Sequence, residues 1–236
     1  MDATISVLGA GFVLGLKHAL DGDHLAAMST LIGCKKGLLA PPIIGSIWGL
    51  GHTTSLFIAG LLVVLLDVSI PDRLALSMEF AVALMLIGLG LNLLRKIFFG
   101  GKLHAHKHAH GERGHSHPHI HGAEEAPADS HHETLFDRRP FIIGLVHGMA
   151  GSAALMLLVL STISDRSVAL LYIGIFGIGS VGGMLIMSTV MSLPFLLMAS
   201  RFNKAPSVLQ GVAATASITF GFMLAYEIGV VESLII

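Results

Sequence analysis

The chain has 236 residues, of which 53% are hydrophobic and only 12% are charged, and its formal net charge is -1 at pH 7. With a mean hydropathy of +0.80, this composition lies outside the range of soluble globular domains and predicts an integral membrane protein. A nearly neutral chain without a basic and aromatic pattern gives no reason to expect nucleic acid as a partner.

Apolar runs that are long enough to cross a bilayer recur along the chain, since a transmembrane helix needs about 20 residues. The sequence predicts an all-α membrane protein with six spans. These cover residues 4–32, 41–66, 73–95, 141–163, 167–199 and 205–230. The first and fifth are too long for a straight crossing, so we expect each to be bent, tilted or partly unwound, at Gly22 and near Pro194.

The basic residues predict the orientation of these spans. The first, third and fifth loops hold 11 of the 14 Lys and Arg residues, so the positive-inside rule places these loops in the cytoplasm and both termini outside. The first residues lack the basic region and cleavage pattern of a secretory signal peptide, so we expect the first span to stay in the mature protein. We expect a multi-pass protein of a bacterial-type plasma (inner) membrane.

The two halves of the chain resemble each other. Two short matches occur at nearly the same offset, and chance similarity of small residues explains two such matches less well than one. At an offset of 129, Gly15 matches Gly144, His18 matches His147 and Gly22 matches Gly151. At an offset of 128, Trp48 matches Phe176 and His52 matches Ser180. Because each repeat has an odd number of spans, the second copy enters the membrane in the opposite sense. We predict two inverted three-helix repeats, 1–99 and 140–236, joined by residues 100–139.

The first span contains a cluster of ionisable residues, which is costly inside a membrane unless they pair or line a pathway. On a regular helix, Asp21 and His24 lie about 60° and about 120° from His18, whereas Asp23 points about 140° the other way. Gly22 can open the helix so that Asp23 turns inward, or Asp23 can fix the tautomer of a histidine. Asp21 also stands four residues after Lys17, so an internal ion pair is an alternative role for it.

Only four of the 14 histidines lie within predicted spans, and they are candidate metal ligands. His18 and His24 lie in the first span, His52 near the middle of the second and His147 about two turns into the fourth. Hydrogen-bonded interior histidines are the alternative interpretation. Imidazole suits nickel, cobalt, copper and zinc. The single cysteine, Cys34, nearly excludes thiolate coordination and any intramolecular disulfide.

Three segments carry a family resemblance: "HALDGDH", of the form His-x4-Asp-His, "GLGHTTSLF" and "GLVHGMAGSAAL". They resemble the nickel/cobalt transporter family and, within it, the short members described as urease-accessory, UreH-type proteins. The resemblance implies that His18, Asp23 and His24 are metal-site residues, with His52 next to them. The chain differs from the longer permeases of that family, since it has six rather than eight predicted spans and lacks their Asp-Thr-Ala-Thr-Glu type motif.

The other ten histidines lie between the third and fourth spans, in residues 104–132. This His-rich segment has no apolar periodicity, so we expect it to be disordered without a ligand. Histidines at alternate positions can gather around a divalent ion without any fold, and they bind it only when unprotonated, so affinity should fall below about pH 6.5. Such a segment on the cytoplasmic side can buffer delivered metal, sense it or load an exporter.

These features predict a secondary transporter of Ni²⁺, or Co²⁺, with uptake favoured by the resemblance alone. Efflux, a membrane metalloenzyme and a metal-sensing or assembly partner are the alternatives; the chain lacks a nucleotide-binding motif and a His-Glu-x-x-His motif. We expect a protein that is not an enzyme and has no cofactor, with the metal as cargo and delivery to a nickel enzyme or chaperone. The predicted metal-site residues are His18, Asp21, Asp23, His24, His52 and His147.

Overall fold

The computed structural model describes residues 2–33, 39–66, 71–99, 103–110, 113–120, 138–149, 159–160, 162–199, 205–232 and 234. Seven α-helices and one pair of strands are described in these ranges. The helices are α1 Asp2–His18, α2 Gly22–Ile32, α3 Ala40–Leu66, α4 Asp72–Phe99, α5 Arg138–Gly148, α6 Arg166–Ala199 and α7 Ala205–Tyr226. A short π-helix, Glu227–Val231, continues α7.

Four helices are long and apolar enough to cross a membrane by length and composition. They are α3, α4, α6 and α7, and each matches a predicted span. The other two predicted spans contain shorter helices, and the apolar part of α1 is Thr4–His18. The body of the protein is thus helical and of membrane type.

The first predicted span is broken, as its length and polar content led us to expect. Residues Lys17 to Asp21 form a tight turn, in which the Leu20 N–H donates to the Lys17 carbonyl (2.8 Å) and the Asp21 N–H donates to the His18 carbonyl (3.1 Å). Asp21 is extended, with φ -61° and ψ 147°, and α2 begins at the next residue. The break therefore lies just before Gly22, and a Cβ at Gly22 would meet the Phe220 ring at 2.9 Å.

The remaining predicted spans differ from the structure in detail. Helix α6 continues through Pro194 to Ala199, so partial unwinding near Pro194 was wrong. The fourth predicted span, 141–163, begins in α5, which starts at Arg138 and ends at Gly148. Residues 150–158 of that span lie outside the described residues.

Glycines bring the helices together. A Cβ at Gly15 of α1 would overlap the Phe176 carbonyl of α6, and one at Gly144 of α5 would overlap the Trp48 carbonyl of α3. Small residues at such positions allow helix backbones to approach closely in a membrane. Each of the two short helices therefore packs on a long helix from the other half of the chain.

The same contacts give the helix directions. Along α1 and α6 the contacting positions rise together, from Gly11 with Tyr172 to Gly15 with Phe176, so these two helices are parallel. Helices α5 and α3 are parallel by the same criterion. Between α3 and α6 the order is reversed, because a Cβ at Gly45 would meet Ser188 and one at Gly49 would meet Val181. Helices α1 and α5 consequently run in opposite directions.

Part of the His-rich segment is described in the structure. Two antiparallel strands, β1 Leu103–His110 and β2 Arg113–Ile120, occupy this part. Histidines recur here at every second position of the sequence, and this spacing is compatible with the two-residue period of a strand. The rest of 100–137 lies outside the described part of the chain, and disorder of the loop without a ligand stays a prediction.

Candidate metal centre

Four histidines from four helices converge in the protein interior. His18 is the last residue of α1 and His24 lies in the first turn of α2. His52 lies in the middle of α3, and His147 in the last turn of α5. The exposed fraction is 0% for His24, His52 and His147 and 7% for His18. We call these four residues, together with Asp21 and Asp23, the buried histidine centre.

Three of the rings form the first group of candidate ligands. His18, His24 and His52 each offer one ligand atom, and these atoms lie within 4.8 Å of one another. The Nε2 atoms of His18 and His52 are 2.9 Å apart. The ring centroid of His24 lies 4.4 Å from that of His18 and 4.9 Å from that of His52. One ion can therefore be reached by all three imidazoles.

Two carboxylates hold the first two rings from behind. Asp21 Oδ2 lies 2.8 Å from His18 Nδ1, and Asp23 Oδ1 lies 2.9 Å from His24 Nδ1. A neutral imidazole that donates its Nδ1–H to a carboxylate leaves the Nε2 lone pair free for a metal. The Nε2 atom of His24 is buried and has no hydrogen-bond partner among the residues that the structure describes. The carboxylates thus favour the tautomer that metal binding requires.

Asp23 also links two parts of the fold. Its Oδ2 lies 3.0 Å from His147 Nε2 and its Oδ1 accepts the backbone N–H of His24 at 2.9 Å. Asp23, His24 and His147 form the second group of atoms that could hold an ion. One carboxylate therefore connects the start of α2 with the end of α5. The sequence left two roles open for Asp23, turning inward and holding a histidine. Its contacts with two histidines are compatible with both roles.

Asp21 does not form the ion pair with Lys17 that its spacing suggested among the described residues. Its carboxylate bonds to His18, and within the described residues no ion pair joins it to Lys17, which is exposed. The Asp21 side chain is 44% exposed, whereas that of Asp23 is 18% exposed. A divalent cation beside these two carboxylates would have its charge compensated locally, which a buried ion requires.

Two aromatic residues, which the sequence did not single out as site residues, enclose the centre. Trp48 is 1% exposed, and its ring lies 5.3 Å from that of His24 and 5.4 Å from that of His147. Phe176 lies 5.6 Å from the His18 ring. Trp48 is the only tryptophan and stands one helical turn before His52, and this spacing was the available signal. The rings shield the imidazoles from lipid and water.

The structure brings all six predicted residues into one place. On an unbroken helix Asp23 would point away from His18, but the turn before Gly22 reorients α2 and places Asp23 beside His24 and His147. The resulting arrangement offers several imidazoles, two orienting carboxylates and a dry surround. Such a site is suited to bind a borderline divalent metal ion.

Comparison with known proteins gives the family. The chain is 36% identical to the urease accessory protein UreH of Bacillus sp. (strain TB-90) over 230 residues, which cover 98% of this chain and 95% of that protein. No protein-family model matches the chain, and no solved structure matches it significantly. The identity extends over almost the whole of both chains and confirms the resemblance carried by the three histidine-containing segments. The chain belongs to the family of the urease accessory protein UreH.

Proposed function

We propose that this protein transports Ni²⁺, or Co²⁺, across the plasma membrane through the buried histidine centre. The observation that carries the proposal is the convergence of His18, His24 and His52, with their ligand atoms within 4.8 Å, inside an apolar helix bundle. Ionisable residues at membrane depth persist mainly where they line a pathway or bind an ion. The name of the relative, a urease accessory protein, supports delivery of the metal to a nickel enzyme such as urease.

The spacing of the imidazoles supports a transition metal as cargo. Metal–imidazole bonds are about 2.0–2.1 Å long in zinc proteins, so two nitrogens at a right angle lie about 2.9 Å apart. The Nε2 atoms of His18 and His52 have this separation, 2.9 Å. Right angles between nitrogen ligands are typical of the tetragonal geometry of Ni²⁺ and Cu²⁺. In the metal-free protein one of these two nitrogens carries a hydrogen and donates a hydrogen bond to the other at the same distance.

The side-chain contacts support a role for each of the other predicted site residues. His18, His24 and His52 bind the ion through Nε2, while Asp21 and Asp23 orient the first two rings. His147 joins the site through Asp23 and provides a ligand on the side of α5. Carboxylates that hold ligating histidines commonly alter metal affinity by about 10–100-fold when mutated. They are therefore part of the binding site even where they do not touch the ion.

We propose six spans in two inverted repeats, of which the first is discontinuous. Paired contacts support this: Gly15 packs on Ser180 as Gly144 packs on His52, and Gly90 packs on Ala214 as Gly221 packs on Ala83. The opposite directions of α1 and α5 agree with an inverted arrangement. Discontinuous helices at a midplane site are a recurring feature of secondary transporters. Rocking of one half against the other would expose the centre to each side in turn.

The distribution of basic residues supports a cytoplasmic position for the loop that contains the His-rich segment and for the N-terminus of α5. Both chain termini then lie outside. In this orientation, metal released from the centre towards the cytoplasm reaches the side that carries the ten additional histidines. We propose uptake as the direction of transport. The same segment on the cytoplasmic side favours one alternative, efflux, because an exporter can collect its cargo there.

Metal accumulation tests the proposal and its direction. Cells that express the protein should accumulate more nickel than cells with an empty vector, whereas an exporter would lower their nickel content. Purified protein in lipid vesicles should carry Ni²⁺ across the bilayer, and Co²⁺ should compete with it. A variant with His131→Ala, which removes a histidine outside the predicted spans, is the matched control for His24→Ala. Vesicles that bind nickel but never transport it would contradict the proposal and indicate a sensing or assembly role.

A further inference from the structure

Ser180 of α6 carries a buried hydroxyl group whose Oγ has no hydrogen-bond partner among the described residues. Its exposed fraction is 0%. A serine or threonine inside a helix can donate to the backbone carbonyl three or four residues earlier, and Ser188, Thr189 and Ser192 of the same helix do so at 2.7–2.9 Å. An unpaired buried hydroxyl destabilises a fold. The position of this group therefore points to a ligand that it binds.

The contacts of α6 give the direction of the Ser180 side chain. One side of α6 packs on α1, through positions 176, 179 and 183, and another packs on α3, through positions 177, 181 and 184. With about 100° per residue, these two sides are about 135° apart, and Ser180 lies about midway between them. Its side chain points into the wedge between α1 and α3. His18 of α1 and His52 of α3 contact each other across the same wedge.

The neighbours of Ser180 on α6 place it at the level of the buried histidine centre. Phe176, about one turn before, has its ring 5.6 Å from the His18 ring. Met184, about one turn after, belongs to the same apolar cluster as Trp48, which encloses the centre. Residues four apart are neighbours on one face of a helix. The hydroxyl thus lies between two side chains that border the histidines.

The repeat relates Ser180 to one of these histidines. At an offset of 128, Ser180 matches His52. A Cβ at Gly15 would lie 2.9 Å from the backbone N of Ser180. A Cβ at Gly144 would lie 2.9 Å from the backbone N of His52. The two residues hold equivalent positions, so one half presents a hydroxyl where the other presents an imidazole.

We propose that the Ser180 hydroxyl is an additional, oxygen ligand of the metal ion in the buried histidine centre. This inference rests on the proposed function, because it adds a ligand to the same site. The first ligand group supplies three imidazoles, and a tetragonal ion such as Ni²⁺ accepts at least one more donor. Mixed nitrogen and oxygen donors are typical of such ions. A neutral hydroxyl provides this donor without adding another buried charge.

Nickel flux into vesicles that contain the full-length chain tests the hydroxyl. Ser180→Ala should raise the nickel concentration that half-saturates flux by about tenfold or more, because it removes a ligand. The matched control is Ser188→Ala, since Ser188 is also fully buried in α6 but donates to the Leu185 carbonyl. The control should keep the half-saturating concentration of the parent protein. Without metal, Ser180→Ala should not lower the melting temperature, because it removes an unpaired group.

A cysteine variant reports contact with the ion. In Ser180→Cys a thiolate replaces the hydroxyl, and nickel should give a near-ultraviolet charge-transfer band that Ser188→Cys, with the same number of cysteines, lacks. An unchanged half-saturating concentration or a lower metal-free melting temperature in Ser180→Ala, or identical spectra of the two cysteine variants, would overturn the proposal. His24→Ala separates this result from the proposed function. If His24→Ala also leaves flux unchanged, the centre is not the transport site, whereas loss of flux in His24→Ala alone contradicts only the role of Ser180.

Discussion

The buried histidine centre and the His-rich segment, residues 104–132, contain the same type of side chain in two different parts of the chain. In the centre, His18, His52 and His147 are far apart in the sequence and are brought together by helices that pack through glycines. In the His-rich segment, the histidines are neighbours in the sequence and recur at alternate positions. The first arrangement is fixed by the fold of the whole chain, whereas the second is local.

This difference separates two tasks of metal binding. A transport site must hold its ligands in a dry environment and release the ion to either side, which depends on fixed geometry inside the bundle. A local site can capture and release metal without any change in the membrane helices, and it contributes through local concentration. Substitutions in the two regions should therefore affect different measurements.

The largest effect is expected from removal of a ligand in the centre. His18→Ala or His24→Ala should abolish nickel transport, because each change removes an imidazole from the first ligand group. The variants should remain in the membrane, and their elution in detergent should match that of the parent protein. Nickel accumulation in cells is the measurement. Normal accumulation by a well-expressed His24→Ala variant would sink the site assignment.

The two carboxylates of the centre should differ in importance. Asp23→Asn should lower metal affinity by about 10–100-fold, because Asp23 holds both His24 and His147 and an amide can accept at only one of its two positions. Asp21→Asn should be milder, since the Asp21 carboxylate bonds to one histidine, His18, among the described residues and its side chain is 44% exposed. The measurement is the nickel concentration that half-saturates transport. An equal or larger loss in Asp21→Asn would reverse the roles given to the two residues.

The centre should also depend on the close packing of the helices that carry its ligands, unlike the His-rich segment. A Cβ at Gly144 would overlap the Trp48 carbonyl, so Gly144→Ala should cost about 1–3 kcal/mol through overpacking. Gly174 has open space around it, so Gly174→Ala is the matched control and should lower stability little or not at all. Thermal unfolding in detergent measures both. Equal melting temperatures for the two variants would show that the contact between α5 and α3 is not tight.

The smallest effect on transport is expected from loss of the His-rich segment. Deletion of residues 104–132 should leave flux at saturating nickel unchanged, because these residues lie outside the six predicted spans and would contribute only local metal concentration. The deletion should lower the metal bound per molecule and remove the release expected between about pH 7 and 5, near the ordinary histidine pKa. Paired measurements of binding and vesicle flux test both parts. If the deletion stops flux outright, the segment belongs to the pathway.

The sequence predicted four spans that the structure contains, and it singled out the ionisable residues that converge in the centre, because both depend on strong local signals. Long apolar runs locate α3, α4, α6 and α7, and ionisable residues within them are costly enough to be informative. The break in the first span was also expected, since a regular helix cannot aim Asp23 and His18 at the same site. The position of the break, with Asp21 extended and Gly22 already in α2 beside Phe220, was not visible in the sequence.

Other features depend on contacts between distant parts of the chain. Spacing suggested that Asp21 pairs with Lys17, but the turn after His18 brings the carboxylate to the imidazole instead. Trp48 was noticed as a repeat position only, because its contact with His147 requires α5 to pack on α3.

Nickel K-edge X-ray absorption of the protein that lacks residues 104–132 tests the central claim most directly, because the only histidines left are those of the buried centre. We predict one tightly bound Ni²⁺ per chain with about three imidazole nitrogens at about 2.0–2.1 Å. His24→Ala in the same background should remove one imidazole from this shell and weaken binding. Nickel that binds without imidazole neighbours, or a spectrum unchanged by His24→Ala, would contradict the assignment of the buried histidine centre as the metal site.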